Sequence, residues 1–383
     1  MYSLWDYCLM IEDPVRTEAY LAALQRVITP DSVVVEIGTG TGFFAVMAAR
    51  MGARRVYAIE ADPVIAAARE VATLNGCADR IEFIEAMSTA VTLPEPADVL
   101  HSDLRGVLSV HQHHVPSIAD ARARLLKPGG TQIPREDVLW MALVESEEAS
   151  AFALRNRDAA PHGVDFAAVH RRLAHTWRKR RVQPGELISA PAEWARLDWR
   201  TVTDPAVRGT ARLTATRHGA VHGVSAWFDA ILLPGIGFSN APGCPEAVYG
   251  QAFFPFPAAV DVREGEEVEV TLEGRLLGGE YVWRWRAQGR NGTAEAWKYD
   301  QSSFFGSPLS LETARLRAPS FAPRAGTAAE VDAWILSRMD ATRSVEAIAA
   351  EAAERFPAQL PSPADAMERV GDLSERYAAR VAG

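Results

Sequence analysis

The stretch Val33-Val34-Val35-Glu36-Ile37-Gly38-Thr39-Gly40-Thr41-Gly42 decides the fold. Its first half is a short, mostly β-branched apolar run and reads as a buried strand. Its second half alternates glycine with threonine, and a helical segment follows at 43–51. Glycines between a strand and a helix let the backbone approach a ligand that a Cβ would hold off. Working outward, residues 17–28 have helical spacing. A strand at 55–59 ends in Glu60, and an Ala-rich helix covers 63–75. Strand-like runs follow at 81–84 and 99–101, then a helix through 118–126 that stops at Lys127-Pro128-Gly129-Gly130. Strands alternating with helices at this spacing predict an α/β domain, a doubly wound parallel Rossmann-like sheet over about 1–145.

Beyond that point the pattern changes. Short alternating runs at 212–216, 223–232, 259–262, 267–275 and 281–286 predict an antiparallel β barrel or sandwich over 146–317. A helical insertion is expected near 161–183. It ends in the most basic stretch of the chain, Trp177-Arg178-Lys179-Arg180-Arg181, read as a solvated helix end, with a docking surface for an acidic partner as the alternative. A linker rich in Pro and Ala (318–330) precedes a small helical or winged-helix module at 331–383.

Composition narrows the classes. The chain has 383 residues, 40 Lys+Arg and 49 Asp+Glu, a formal net charge of −9. Hydrophobic residues at 48% and charged residues at 23% exclude disorder over most of its length. The acidic balance argues against a nucleic-acid partner. Cys8, Cys77 and Cys244 lie far apart with no CxxC, so neither a disulfide framework nor a structural zinc site is expected. No apolar run reaches membrane-spanning length, and the N-terminus has no signal-peptide pattern. A cytoplasmic protein is expected.

The glycine spacing is Gly-x-Gly-x-Gly, whereas dinucleotide loops use Gly-x-Gly-x-x-Gly. Glu60 lies 18 residues past Gly42, at the end of the next strand, where an acid can accept both hydroxyls of a ribose. A ligand-free glycine turn and a dinucleotide loop are the competing readings. The combination resembles the class I S-adenosylmethionine (SAM) methyltransferases. That resemblance implies SAM as cofactor, S-adenosylhomocysteine (SAH) as product, and contacts from Glu36, Gly38, Thr39, Gly40, Gly42, Glu60, Ala61, Met87 and Ser88. A narrower resemblance starts at Met10-x-x-Asp13-x-x-Arg16-Thr17, which is similar to the N-terminal helix of the protein arginine methyltransferases. It implies that Met10 and Arg16 fold over the cofactor, with Arg16 on its carboxylate. Leu93-Pro94, Asp98 to Asp103, Leu126 to Gly130, His222 to Asp229, Phe238 to Pro242 and Gln251 to Phe254 continue the resemblance in order, over about 1–290.

The departures shape the functional expectation. The family's hairpin loop carries two glutamates. Here the positions are Asp103 and, nine residues on, Gln112. The family's Thr-His-Trp triplet reads Ala247-Val248-Tyr249. A guanidinium is clamped best by two anionic acceptors. The expected acceptor is therefore a non-guanidine nitrogen or oxygen on a peptide or small metabolite. Asp103, at the cofactor edge, would orient it, with Gln112 and Tyr249 lining the pocket. Of the nearby histidines His101, His111, His113 and His114, His113 is taken as the candidate base. Adjacent histidines without a distant carboxylate do not make a metal site, and none is expected. Arg105 fits either an anionic group of the substrate or an internal ion pair. The alternatives are a protein arginine N-methyltransferase and a non-catalytic SAM- or SAH-binding protein. Residues 332–349 resemble PqqD-like winged helices, which implies leader-peptide binding by strand addition, or a structural or dimer-forming appendage. A homodimer is expected from the family resemblance.

Overall fold

Pairing changes from parallel to antiparallel at Pro134, and that switch organises the larger part of the chain. The fold was obtained as a computed structural model that describes residues 2–154, 161–290, 296–308 and 310–379. Two helices come first, α1 (Leu4–Glu12) and α2 (Pro14–Val27). Asp13 separates them. It ends α1 and caps α2 by accepting from the Arg16 backbone N–H, with Pro14 in the first turn where a missing N–H does no harm. Strands β1 (Val33–Ile37), β2 (Arg55–Glu60), β3 (Ile81–Glu85), β4 (Ala97–Ser102) and β5 (Leu126–Ile133) alternate with α3 (Phe43–Arg50), α4 (Ile65–Leu74) and α5 (His114–Arg124).

The parallel sheet has the order β3-β2-β1-β4-β5. All five residues of β1 are buried, which explains its apolar run. Each fully buried valine there contributes about 1.5–3 kcal/mol. All five strands are parallel and the strand order reverses between β1 and β4, and open sheets of this kind bind ligands at the carboxyl ends beside that switch point. Ile37 pairs with Ile59 on one side and Ser102 on the other. Gly38, Glu60 and Asp103 therefore leave the sheet at one level.

The antiparallel part has two sheets. The first contains β6 (Glu136–Val144), β7 (Arg178–Arg180), β8 (Ala192–Asp198), β10 (Gly219–Leu233) and β12 (Gln251–Val262), in the order β7-β12-β10-β6-β8, with β11 (Ile236–Ser239) on β10. The second contains β9 (Val207–Thr214), β13 (Glu267–Leu277), β14 (Glu280–Arg290) and β15 (Ala296–Ser302), in the order β15-β14-β13-β9. Trp227, Phe228, Trp283 and Trp285 are all buried, and Trp285 Nε1 donates to Pro255 O at 2.8 Å.

The insertion after β6 holds α6 (Glu147–Leu154) and α7 (Ala167–Leu173). The basic stretch after it is not a helix end. Arg178–Arg180 is the edge strand β7, antiparallel to 251–253. Gln251 stabilises the exit by accepting from the Val182 N–H at 2.8 Å, and Arg180 pairs with Glu186 at 2.8 Å. Charged side chains are a usual protection for an edge strand.

After the short helix α8 (Ser303–Gly306), residues 308–383 form a second compact unit. It contains α9 (Leu311–Leu316), α10 (Thr327–Leu336), α11 (Val345–Arg355) and α12 (Pro363–Tyr377). Ile335, Ile348, Ala352, Leu360, Val370 and Leu373 form its core. Ser344 and Ser362 cap α11 and α12. No strand occurs in this unit among the described residues. The winged-helix expectation is corrected accordingly. Pro357 and Pro361 stand between α11 and α12, where proline cannot donate to a ladder, and the described residues of this unit offer no sheet edge for strand addition.

His114, the first residue of α5, joins the two halves of the larger unit. Its ring stacks on Trp199, just after β8, at 4.1 Å and 22°. Nδ1 lies 2.9 Å from Ser109 O, so the neutral ring donates there. Burial, with the nearby Arg105 charge, lowers its pKa to about 3 from an ordinary value of 6.5. Between those values the unfolded chain binds one more proton than the folded one. Stability should fall as pH drops from 6.5 toward 3, at up to about 1.4 kcal/mol per pH unit. His114→Phe keeps the stack and should flatten that slope in denaturant titrations. An unchanged slope would exclude His114 as its source.

Candidate active site

Gly38, Gly40 and Gly42 adopt φ of 76°, 53° and 81°, in the left-handed region that favours glycine. A Cβ on Gly40 would lie 2.6 Å from Tyr7 Cε1, and one on Gly42 would lie 2.9 Å from Ala68 Cβ. The loop is thus drawn against α1 on one side and α4 on the other. Glu60 accepts from the Gly40 N–H and the Asp62 N–H, both at 3.0 Å, which fixes its carboxylate beside the loop. Ala61, next along, is exposed. Glu36 is buried, accepts from Thr39 Oγ1 at 2.8 Å and faces His101 Nδ1 at 3.5 Å. His101 packs edge-on to Tyr20 and Phe44.

Register carries β3 to the same end of the sheet. Glu60 pairs with Glu85, and Met87 and Ser88 follow, Met87 largely exposed and Ser88 buried. Ser88 Oγ and Ser102 Oγ are buried without a partner. A glycine cradle, a strand-end acid and orphaned hydroxyls fit an adenosyl ligand.

Across the switch point lies a buried ionic cluster. Asp103 Oδ2 accepts from Arg16 Nε and from the Tyr249 hydroxyl, the latter at 2.5 Å. Asp103 Oδ1 accepts from Arg105 Nη1 at 3.0 Å. Arg105 also forms a two-point pair with Asp137 on β6, at 2.9 and 2.7 Å, and donates to the Tyr20 hydroxyl at 2.5 Å. Its guanidinium lies over the Phe228 ring at 5.5 Å. Arg16 Nη1 donates to the Met10 carbonyl at 3.1 Å, and its guanidinium faces Phe44 at 5.1 Å. Phe228 and Phe238 enclose Tyr249. The loop leading to Tyr249 is tied to the helix hinge by the Val248 N–H, which donates to Asp13 at 2.6 Å.

Burial alone would raise the Asp103 pKa, but Arg16 and Arg105 outweigh it and hold the carboxyl well below the usual range. Burial would lower the Arg16 pKa, and Asp103 reverses that. For Tyr249, burial and Asp103 both push the phenol upward, so it stays a donor. Arg105 therefore makes the internal ion pair. Its partner Asp137 and the contacting Tyr20 and Phe228 were not among the sequence-derived candidates. The available signal was the acidic pair Glu136-Asp137 at the head of the otherwise apolar run of β6.

The fold gathers Arg16, Asp103 and Tyr249, with the Met10 carbonyl. It sets Gln112 and His113 apart. Both are exposed, and among the described residues no hydrogen bond joins either to Asp103. Gln112 has a φ of 39° and donates through Nε2 to Glu280 Oε1 at 3.2 Å. His113 faces Gly279 of the β13–β14 hairpin.

Residues 15–133 match the family described as ribosomal protein L11 methyltransferase, and residues 138–275 match the arginine methyltransferase oligomerization subdomain. The chain is 32% identical over 276 residues to the arginine N(omega)-methyltransferase of Streptomyces achromogenes subsp. streptozoticus, covering 70% of this chain and 75% of that one. It is 28% identical over 280 residues to protein arginine N-methyltransferase 6 of Xenopus laevis, covering 69% and 82%. A solved Trypanosoma brucei PRMT1 enzyme-prozyme complex with AdoHcy superposes with a TM-score of 0.71 at 22% identity. It covers 77% of this chain and 97% of that one, a likeness of fold. The methyltransferase matches identify SAM as the cofactor. The expectation of a non-guanidine acceptor is overturned, because both named relatives are arginine methyltransferases. That expectation counts carboxylates along one loop, and a fold can bring a carboxylate in from elsewhere.

The buried Arg105–Asp137 pair can be tested by stability. Arg105→Met or Asp137→Val alone leaves an uncompensated charge and should cost about 3–5 kcal/mol. The double variant should be less destabilised than the two single losses added together, as measured by denaturant unfolding. Simple additivity would exclude the pairing.

Proposed function

The chain belongs to the arginine methyltransferase family, and on that premise we propose that it transfers a methyl group from SAM to a terminal guanidino nitrogen of arginine. The observation that carries this reading is Asp103, an ionised, buried carboxylate at the switch point of a SAM-binding sheet, in a chain whose 32%-identical relative is named for arginine methylation. When bound, SAM supplies a methyl group on a positively charged sulfur, open to in-line displacement. Glu60 and the glycine loop would hold the adenosine end, and Arg16 the carboxylate.

Asp103 orients the acceptor. Its Oδ2 already accepts two hydrogen bonds, while among the described residues Oδ1 accepts only from Arg105 and keeps a lone pair for one guanidino N–H. A carboxylate held so far below its usual pKa is a weak base, so Asp103 positions the nitrogen and leaves the proton to solvent. Tyr249 donates to Asp103 and fixes its rotamer. The match of 138–275 to an oligomerization subdomain supports association of the chain as a homodimer.

The test uses purified full-length protein, labelled SAM, and either free L-arginine or a Gly-Arg-rich peptide. Mass spectrometry of hydrolysed products should show methylarginine from at least one acceptor. SAH binding in calorimetry with no methylarginine from either acceptor would overturn the proposal and favour a non-catalytic SAM-binding protein.

A further inference from the structure

The charges around Asp103 cancel. Arg16 and Arg105 supply two cations, and Asp103 and Asp137 supply two anions. All four side chains are almost fully shielded from solvent. A neutral cluster of this kind gives an incoming guanidinium little net attraction. A guanidinium also brings five N–H donors, and Asp103 has one unfilled lone pair on Oδ1. A second anionic acceptor is needed.

An exposed carboxylate of the antiparallel domain reaches the loop that carries Asp103. Glu280 opens β14, is exposed, and forms no ion pair among the described residues. Its Oε1 accepts from Gln112 Nε2 at 3.2 Å, a contact spanning 168 positions of the chain. Gln112 sits on the same loop as Asp103. That loop doubles back, so that a Cβ on Gly106 would lie 3.0 Å from His111 Nδ1. The contact is built from both sides. Gln112 holds a φ of 39°, rare for a residue with a side chain. Gly278 and Gly279, with φ of 61° and 90°, turn the hairpin so that Glu280 comes down on the loop and Gly279 meets His113. His111, half-buried there, has its pKa lowered by burial, with Glu280 opposing.

We propose that Glu280 is a specificity-determining residue for this reaction. Its carboxylate, presented by the β13–β14 hairpin and steadied by Gln112, supplies the anionic contact that draws and clamps the arginine guanidinium. This rests on the arginine-methyltransferase reading above. The anion comes from the antiparallel domain, while the residue on the loop supplies a neutral amide.

Glu280→Gln keeps the shape and the hydrogen bond with Gln112 and removes only the charge. It should raise the KM for the arginine acceptor by about tenfold, with a much smaller effect on kcat and none on SAH affinity in calorimetry. The wild-type acceptor KM should rise with ionic strength between about 50 and about 300 mM, and the variant should lose most of that dependence. Gln112→Glu combined with Glu280→Gln returns one carboxylate to the same place and should recover the KM. An acceptor KM in Glu280→Gln equal to that of wild type would overturn the proposal. Wild-type protein that makes no methylarginine would instead refute the underlying function, and that result precedes any variant.

Discussion

The Asp103 carboxylate is shared by two guanidinium groups and a phenol, and the arrangement of the larger unit follows from keeping it ionised out of water. A buried carboxylate on its own would neutralise or pull the fold apart. Arg16 arrives from α2, Arg105 from the loop after β4, and Tyr249 from the loop before β12. Arg105 is itself buried and needs Asp137 of β6. Each partner answers a desolvation problem created by another. The cluster therefore spans the parallel sheet, the N-terminal helices and the antiparallel sheet.

That dependence explains local features with no obvious role of their own. Asp13 both ends α1 and starts α2, which places Arg16 in the first buried turn. The same Asp13 accepts from Val248, which positions the residue before Tyr249. Phe228 and Phe238 pack around Tyr249 and exclude water from the hydroxyl that donates to Asp103. Excluding water lowers the local dielectric and strengthens each of these contacts, which is why the cluster tolerates no unpaired member.

The cofactor half was legible in the sequence because its signals are local. A buried parallel strand must be apolar along its length, its turn must be glycine where φ is positive, and the acid that follows sits at a spacing set by one helix and one strand. The basic stretch 177–181 was read as a helix end, since an edge strand of three residues has no period to detect. The terminal unit reads from sequence as helical or winged-helix, the wing resting on the resemblance of residues 332–349, and its described residues hold helices and no strand.

Side-chain pairing across the fold had no such local signal. Asp103 and Gln112 could be picked out by position, but the chain order says nothing about which charges cancel. Arg105 meets Asp137 across 32 positions, Asp103 meets Tyr249 across 146, and Gln112 meets Glu280 across 168. Strand order and hairpin geometry set those meetings. The cradle for SAM thus follows from residues within about one βαβ unit. The charge balance of the acceptor site is a property of the packed molecule, because the energy of a buried charge depends on what surrounds it in space.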